Sequence, residues 1–335
     1  MLKLDYEIKR WNMVEPFIIA GSSSDAIDCV HVALTDVDGH CGRAETCGVD
    51  YHGESAGSIC AELDAVRSSI EAGIDLEELQ QLLPAGGARN GLDCALWDLH
   101  CQQRGESIWT LAEIGPAASV ATVYTIGVVG PEHAAVLAAR YADYGSLKVK
   151  ADETGSLSTL QAIRQARPEV QIIVDANQSW TPALFQSLEP ELIALDIALL
   201  EQPFAVNADD FLLDYLLDHQ LDYEGRLKIA ADESVQTTAD LPKLAGRYDV
   251  LNIKLDKTGG MTEALRLARA AGELGFALMV GNNCGSSLAM APAYVIAQLC
   301  DFVDLDGPLL QTEDVVPAMH YDNGQIAPPA AGGLW

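Results

Sequence analysis

Six charged residues, from position 148 onward, end short apolar runs, and their types suit proton transfer beside a carboxylate. Leu147-Lys148-Val149-Lys150 alternates apolar and cationic side chains, so in a strand both lysines share one face. The next three runs end at Asp175, Glu201 and Asp232, separated by 26 and 31 residues, each about one strand-plus-helix unit. If the runs are neighbouring parallel strands, three carboxylates arrive at the same height. Like charges converging away from water are costly unless a cation neutralises them. An all-oxygen donor set of this kind suits Mg²⁺, which keeps positions open for a substrate's own oxygens. A further run ends Asn252-Ile253-Lys254, which an eight-strand circle would place opposite the strand carrying Lys148 and Lys150. One lysine on each side of a metal-bound carboxylate can take a proton from one face of a carbon and return one to the other, through an enediolate that the metal stabilises. Crowded cations and burial are expected to lower the pKa of Lys148 and Lys150 toward the range a base needs.

The elements that must position these residues can also be read. Apolar runs fall at 121–128, 146–151, 170–176, 198–204, 227–233, 250–255, 277–282 and 302–306, with amphipathic segments in most gaps. Gly130-Pro131 opens one helix with proline in its first turn, and Met261, Ala264, Leu265, Ala268 and Ala271 give another a buried stripe. Continuous apolar strands joined by helices imply a parallel sheet covered on both faces, and eight such units favour a closed barrel. Active sites of barrels lie at the C-terminal ends of the strands, where these charges stand. The first 45 residues read differently, as strands and turns, with Asp38-Gly39 as a hairpin turn before Gly42–Thr46. From about Glu54 to Gly105 the pattern is helical, and Leu92, Ala95, Leu96 and Leu99 mark one apolar face.

Composition removes whole classes of function. The 335 residues include 49 acids against 20 Lys plus Arg, a formal charge of −29 that repels nucleic acid and anionic membranes. The start Met1–Glu7 carries charges where a signal peptide needs an apolar stretch, so none is expected there, and the apolar run 288–300, broken by Pro292 and Gln298, is too short to span a bilayer. Eight scattered cysteines without a CxxC pair read as reduced thiols, and a cytoplasmic location is the expectation.

The motifs at 148–150, 175–177 (Asp-Ala-Asn), 201–203 (Glu-Gln-Pro), 231–234 (Ala-Asp-Glu-Ser) and 252–254 resemble, in order, those of the muconate-lactonizing-enzyme subgroup of the enolase superfamily. Ala95-Leu96-Trp97-Asp98-Leu99 resembles the helix before that family's barrel, and Lys257-Thr258-Gly259-Gly260 the turn after its sixth strand. The resemblance implies a modified (β/α)₇β TIM-like barrel over residues 116–309. It also implies an α+β capping domain over 1–115, completed by about 310–335. By the same resemblance Asp175, Glu201 and Asp232 ligate Mg²⁺, Lys150 and Lys254 are the acid/base pair, and Lys148 supports Lys150. Asn177 and Glu233 stand behind that set, with helix capping as the alternative for each.

Asp304-Leu305-Asp306 resembles the pair with which dipeptide epimerases hold the substrate's α-ammonium group, and period-2 spacing would put both carboxylates on one face. The expected activity is Mg²⁺-dependent epimerisation at the α-carbon of a dipeptide's C-terminal residue. A dehydratase, an o-succinylbenzoate-synthase-like enzyme or a cycloisomerase using the same lysines and metal is the alternative. A barrel that only binds a metal or ligand has no use for opposed lysines. Epimerases acting on Ala-Glu resemble one another in an arginine in the first capping loop. Here that loop, 17–24 around Gly21, has no Arg or Lys between Arg10 and Arg43, so Ala-Glu is not the expected best substrate. Asp50 and His52 in the second loop are the candidates for a substrate side chain. Cys284, without a partnered base, is not read as a nucleophile. Family members commonly assemble, and a homo-oligomer is left open.

Overall fold

The computed structural model describes residues 1–154, 156–218 and 226–329. Three antiparallel strands open the chain, β1 (Leu2–Ile19), β2 (Ser22–Asp36) and β3 (Cys41–Thr46). The β2–β3 turn falls where Asp38-Gly39 signals it: Asp36 accepts from the amides of Asp38 and His40, and Gly39 takes φ +91°. Helices α1 (Ala56–Ala72), α2 (Leu76–Leu82), α3 (Gly87–Arg104) and α4 (Ile108–Leu111) follow. The apolar face of α3 packs so tightly on β3 that a Cβ on Gly42 would stand 2.0 Å from the Ala95 carbonyl oxygen.

The opposite face of α3 grips the rest of the molecule. Arg89 donates to the carbonyls of Thr258 and Gly259, Asp93 accepts from the Thr262 amide at 3.0 Å, and Trp97 donates to the Thr262 hydroxyl at 2.9 Å. A helix buried on two sides needs polar groups where it meets backbone ends, which is why this one carries Arg, Asp and Trp among its leucines.

After the short β4 (Val120–Ala121), eight strands form one parallel sheet in sequence order: β5 (Tyr124–Ile126), β6 (Ser146–Lys150), β7 (Gln171–Asp175), β8 (Ile197–Glu201), β9 (Ile229–Ala231), β10 (Val250–Ile253), β11 (Ala277–Val280) and β12 (Phe302–Val303). Its two ends meet through the Val123 amide on the Val303 carbonyl at 3.1 Å and the Leu305 amide on the Thr122 hydroxyl at 3.0 Å. The crossovers carry α5 (Pro131–Arg140), α6 (Leu157–Ala166), α7 (Pro182–Ala194), α8 (Phe211–Asp218), α9 (Leu241–Leu244), α10 (Leu255–Thr258) with α11 (Met261–Glu273), and α12 (Ser287–Ala297). This is the expected (β/α)₇β order. Val123, Ile173, Leu199, Ala230, Val250 and Met279 form a separate apolar plug inside. Ile173, Leu199 and Ala230 each precede a charged residue by two positions, so the charges lie directly above the plug.

Beyond β12 the chain bonds to both parts of the molecule. The Thr312 amide donates to the Asn12 carbonyl of β1, and the hairpin of β13 (Tyr321–Asp322) and β14 (Gln325–Ile326) adds to β4. Residues 330–335, assigned from the sequence to the cap, lie outside the described residues. Among those described, no helix is long and apolar enough to cross a membrane.

Candidate active site

Register explains the meeting of the charges. Lys150 pairs with Asp175 and Asp175 with Glu201 across β6, β7 and β8, while Asp232 and Lys254 follow directly on β9 and β10. Lys148 and Lys150 turn inward together, and Leu147 and Val149 lie in the outer core. Lys150 Nζ stands 2.6 Å from Asp175 Oδ2, and Lys148 Nζ 3.1 Å from the same oxygen. Lys148 also reaches Glu201 and Asp304 at 2.8 Å each. On the far side Lys254 Nζ is 2.7 Å from Asp232 Oδ2. The two outer lysines thus approach one group of acids from strands four apart in an eight-strand sheet.

Asp175, Glu201 and Asp232 are fully buried, with one carboxylate oxygen of each within 4.8 Å of the others. Glu201 Oε1 accepts from Asn252 at 2.8 Å. Glu201 Oε2 has no hydrogen-bond donor, and Lys148 lies beside it only as an ion-pair contact. Three buried carboxylates gathered at one point, with Glu201 Oε2 met only by the Lys148 ammonium, form the all-oxygen set that a hard divalent cation suits, so the residues fit Mg²⁺. Burial and then the neighbouring Asp175 push the Glu201 carboxyl up to about 8. Burial acts the same way on Asp175 and Asp232, but there the lysines win and both stay well below the usual carboxylate range.

The lysines depart from expectation. Burial pulls Lys148 and Lys254 downward, yet the carboxylates around them outweigh it and hold both ammonium groups above the ordinary lysine value. Mutual repulsion between Lys148 and Lys150 does not set the balance, because Asp175 stands between them. That expectation is corrected for Lys148.

Beyond β12, Asp304 and Asp306 lie in irregular chain, so the alternation argued for them has no strand to act on. They are adjacent all the same: burial and the Asp304 charge push the Asp306 carboxyl up to about 8, while the Thr125 amide donates to its Oδ2 at 2.5 Å. Asn282 donates to the Asp304 carbonyl at 2.6 Å. Asn177 caps no helix, since Thr181 caps α7; its amide donates to Asp175 Oδ1 at 3.0 Å. Glu233 is buried, its Oε2 has no partner, and burial followed by Asp232 lifts it to about 7.

The loop candidates sit at the rim. Gly21 is the second residue of a tight Ala20-Gly21 hairpin turn, φ +76°, exposed and with no neighbour near its missing Cβ. That hairpin covers the end of β5, where the Val128 amide donates to the Ile18 carbonyl at 2.8 Å. His52 is exposed and pairs with Gln236 at 2.8 Å. Its neighbour Tyr51 is exposed too and sets its ring edge-on to the His52 ring, centroids 4.7 Å apart. Asp50 is exposed at the start of the same turn. Cys284 is near Asp306, with its thiol pushed up to about 12 by burial.

Two contributors stand within motifs quoted from the sequence but were given no role there. Buried Lys257 donates to Asp232 Oδ1 at 2.5 Å, to the Asp232 carbonyl and to the Asn252 carbonyl at 2.9 Å. Its one signal is the spacing of three from Lys254, which one turn of α10 folds back under β9. Gln202 accepts from the amides of Asp232 and Ser234 at 2.8 and 3.0 Å, fixing the segment after β9.

Comparison with known proteins fits this geometry. Residues 5–113 match the mandelate racemase / muconate lactonizing enzyme N-terminal domain, and residues 132–334 the enolase C-terminal domain-like family. The chain belongs to the mandelate racemase / muconate lactonizing enzyme family of the enolase superfamily. Within it, the L-Ala-D/L-Glu epimerase of Escherichia coli (strain K12) is 39% identical, over 95% of this chain and 97% of its own. An N-acetyl-D-glutamate racemase of Pseudoalteromonas is 40% identical, over 86% and 89%. Among solved structures, an enolase family member from Agrobacterium tumefaciens with homology to dipeptide epimerases, holding sodium and L-Ala-L-Glu, superposes with a TM-score of 0.94 at 36% identity over 100% of both chains. A dipeptide epimerase from Methylococcus capsulatus with Mg and L-Arg-D-Lys gives 0.88 at 29%, over 97% and 96%.

Proposed function

We propose that this protein is a Mg²⁺-dependent dipeptide epimerase, an isomerase that inverts the α-carbon of the dipeptide's C-terminal residue. The observation that carries the reading is the placement of Lys150 and Lys254 on opposite sides of the Asp175–Glu201–Asp232 group. Those three acids would hold the cation, which when bound draws charge from the substrate's carboxylate and acidifies the adjacent C–H. Lys150 and Lys254 then exchange roles. The neutral amine of one removes the α-proton from its face, and the ammonium of the other delivers a proton to the opposite face. Lys148, bound to three acids, stays charged and steadies Asp175 and Asp304. Asp304 and Asp306 would receive the substrate's amino end, and the hairpin at Gly21 with the turn at Asp50–His52 would close over its side chains.

The relatives named for Ala-Glu do not settle the side chain. This chain offers no Arg or Lys between Arg10 and Arg43, and Arg10 is occupied with Asp28 at 3.0 Å on the exposed face of β1. A second reading, racemisation of an N-acylated amino acid, is favoured by the Pseudoalteromonas relative. Both readings use the same lysines and cation.

On this reading the chain divides into a cap of residues 1–115, joined by the segment from about 310, and a barrel of 116–309; the Thr312–Asn12 bond supports the join. Incubating a dipeptide library and a set of N-acetylamino acids in D₂O with Mg²⁺, read by mass spectrometry, tests the function. Deuterium entering the C-terminal residue of dipeptides supports the first reading, entry into N-acetylamino acids alone supports the second, and entry into neither defeats both.

A further inference from the structure

Away from the site, β2 and β3 bring two cysteines face to face. The ladder pairs Val30 with Thr46, so one step further along it sets Cys29 opposite Cys47. Their sulfurs are 2.7 Å apart, well inside ordinary contact between two thiols. Both are free, Cys29 fully buried and Cys47 partly exposed. Glu45 lies within 4.8 Å of both, so a metal site is the first candidate. Two observations speak against it. Glu45 is already engaged by Trp11, His31 and both the amide and the hydroxyl of Ser286. Two thiolates on one zinc also stand roughly 3.8 Å apart, given tetrahedral Zn–S bonds of about 2.3 Å.

We propose that Cys29 and Cys47 form a cross-strand dithiol that oxidises to a disulfide, with a small organic disulfide as the oxidant. The part-exposed Cys47 loses its proton to solvent and attacks one sulfur of the oxidant. A Cys47–S–S–R bond forms, and the released thiolate takes up a proton. Cys29, deprotonated in turn, attacks the Cys47 sulfur and expels the second thiol. The protein gives up two protons and two electrons, and one oxidant disulfide becomes two thiols. The bond from Cys47 pulls the Cys29 thiol down, but burial and the charges of Glu45, Asp256 and Asp28 together outweigh it, and the same bond together with burial raises Cys47, so the exchange is slow.

The location gives the bond a consequence. Cys47 is the root of the turn that carries Asp50, Tyr51 and His52. Its amide, the Gly48 amide and the Thr46 hydroxyl all donate to Asp256 Oδ1, two residues beyond Lys254. A Cys29–Cys47 bond ties that root to β2 and stiffens the rim of the barrel mouth.

The test uses the full chain, reduced and then equilibrated for long periods with oxidised glutathione at mildly alkaline pH, acid-quenched and alkylated. The expected product is two hydrogens lighter than the reduced protein, with six of its eight cysteines alkylated. Its peptide map joins Cys29 to Cys47, and amide exchange at residues 48–55 is several-fold slower than in the reduced form. Cys284→Ser leaves the bond intact. All eight thiols remaining alkylatable, under conditions that oxidise the urea-unfolded chain, overturns the proposal. So does a map that joins Cys47 to Cys284 instead, since the Cys284 carbonyl is the other neighbour of the Cys47 thiol, at 3.6 Å. The map of the unaltered protein decides between these outcomes, so the test does not depend on a variant that folds.

Discussion

Replacing Lys257 by methionine probes whether Asp232 is held from two sides. Methionine keeps the apolar stem and removes only the ammonium group. In the native site that group serves Asp232 Oδ1, the Asp232 carbonyl and the Asn252 carbonyl, all away from water. Removing one partner of a buried ion pair costs about 3–5 kcal/mol, and the Asn252 carbonyl, losing this donor, adds about 1 kcal/mol, while the Asp232 carbonyl keeps the Val235 amide at 3.1 Å. Asp232 keeps Lys254 on its other oxygen at 2.7 Å, so its charge is not stranded. The ion-pair loss therefore falls at its lower end, about 3 kcal/mol, and with the Asn252 carbonyl the total is about 4 kcal/mol. Urea unfolding of native and variant protein, in chelator, measures it. Activity with Mg²⁺ should fall about 10- to 100-fold, the usual effect of loosening a residue that orients a ligand. A stability loss below about 1 kcal/mol with unchanged activity would show that Lys254 alone holds Asp232.

Four other perturbations have outcomes fixed by the geometry. Asp306 has a folded pKa of about 8, raised above its ordinary 3.8, so the folded state binds the extra proton between those values. Its stabilising contribution is complete below the lower value and is lost as pH rises through the upper one. Asp306→Asn should therefore flatten the decline in thermal stability between pH 4 and 8, a window set by those two values and readable by calorimetry. Asp304→Ala will not discriminate an ammonium clamp from other chemistry, because Asp304 also pairs with Lys148 at 2.8 Å; activity should collapse on every substrate, dipeptide or not. Gly42→Ala drives a Cβ to 2.0 Å from the Ala95 carbonyl and should destabilise the cap by about 3 kcal/mol, measured by urea unfolding. Thermal shift with Mg²⁺ should be positive in the native protein and absent in Glu201→Gln, which keeps the Asn252 bond but loses one of the three carboxylate charges.

The barrel and its charged mouth were legible in the sequence because each strand is a short apolar run, and although one charge at a strand end can be a helix cap or a solvated side chain, an ordered set on five successive strands is hard to explain that way. Lys148, Lys150, Asp175, Glu201, Asp232 and Lys254 could be placed on strand ends by spacing alone. Lys257 could not, since its role depends on a single helical turn folding it back beneath the neighbouring strand. Gln202 was quoted in the Glu-Gln-Pro motif, but its role was not legible for a related reason: the contacts that make it a brace for Asp232 are to backbone amides, which leave no mark in side-chain pattern. Alternation failed to describe Asp304 and Asp306 because β12 ends at Val303, and their closeness comes instead from the chain turning toward Thr125. The raised ammonium of Lys148 was missed because the sequence shows the neighbouring lysine and conceals the carboxylate wedged between them.

Two lysines must serve opposite faces of one carbon for this site to epimerise anything. Lys150→Met and Lys254→Met, each confirmed as folded by circular dichroism, should be given the separate epimers of a confirmed substrate in D₂O and followed by proton NMR. Neither variant should epimerise, and each should still exchange deuterium into only one epimer, a different one for each lysine. If either variant interconverts the epimers at close to the native rate, or both favour the same epimer, the two amines do not act from opposite sides and the proposed mechanism is wrong.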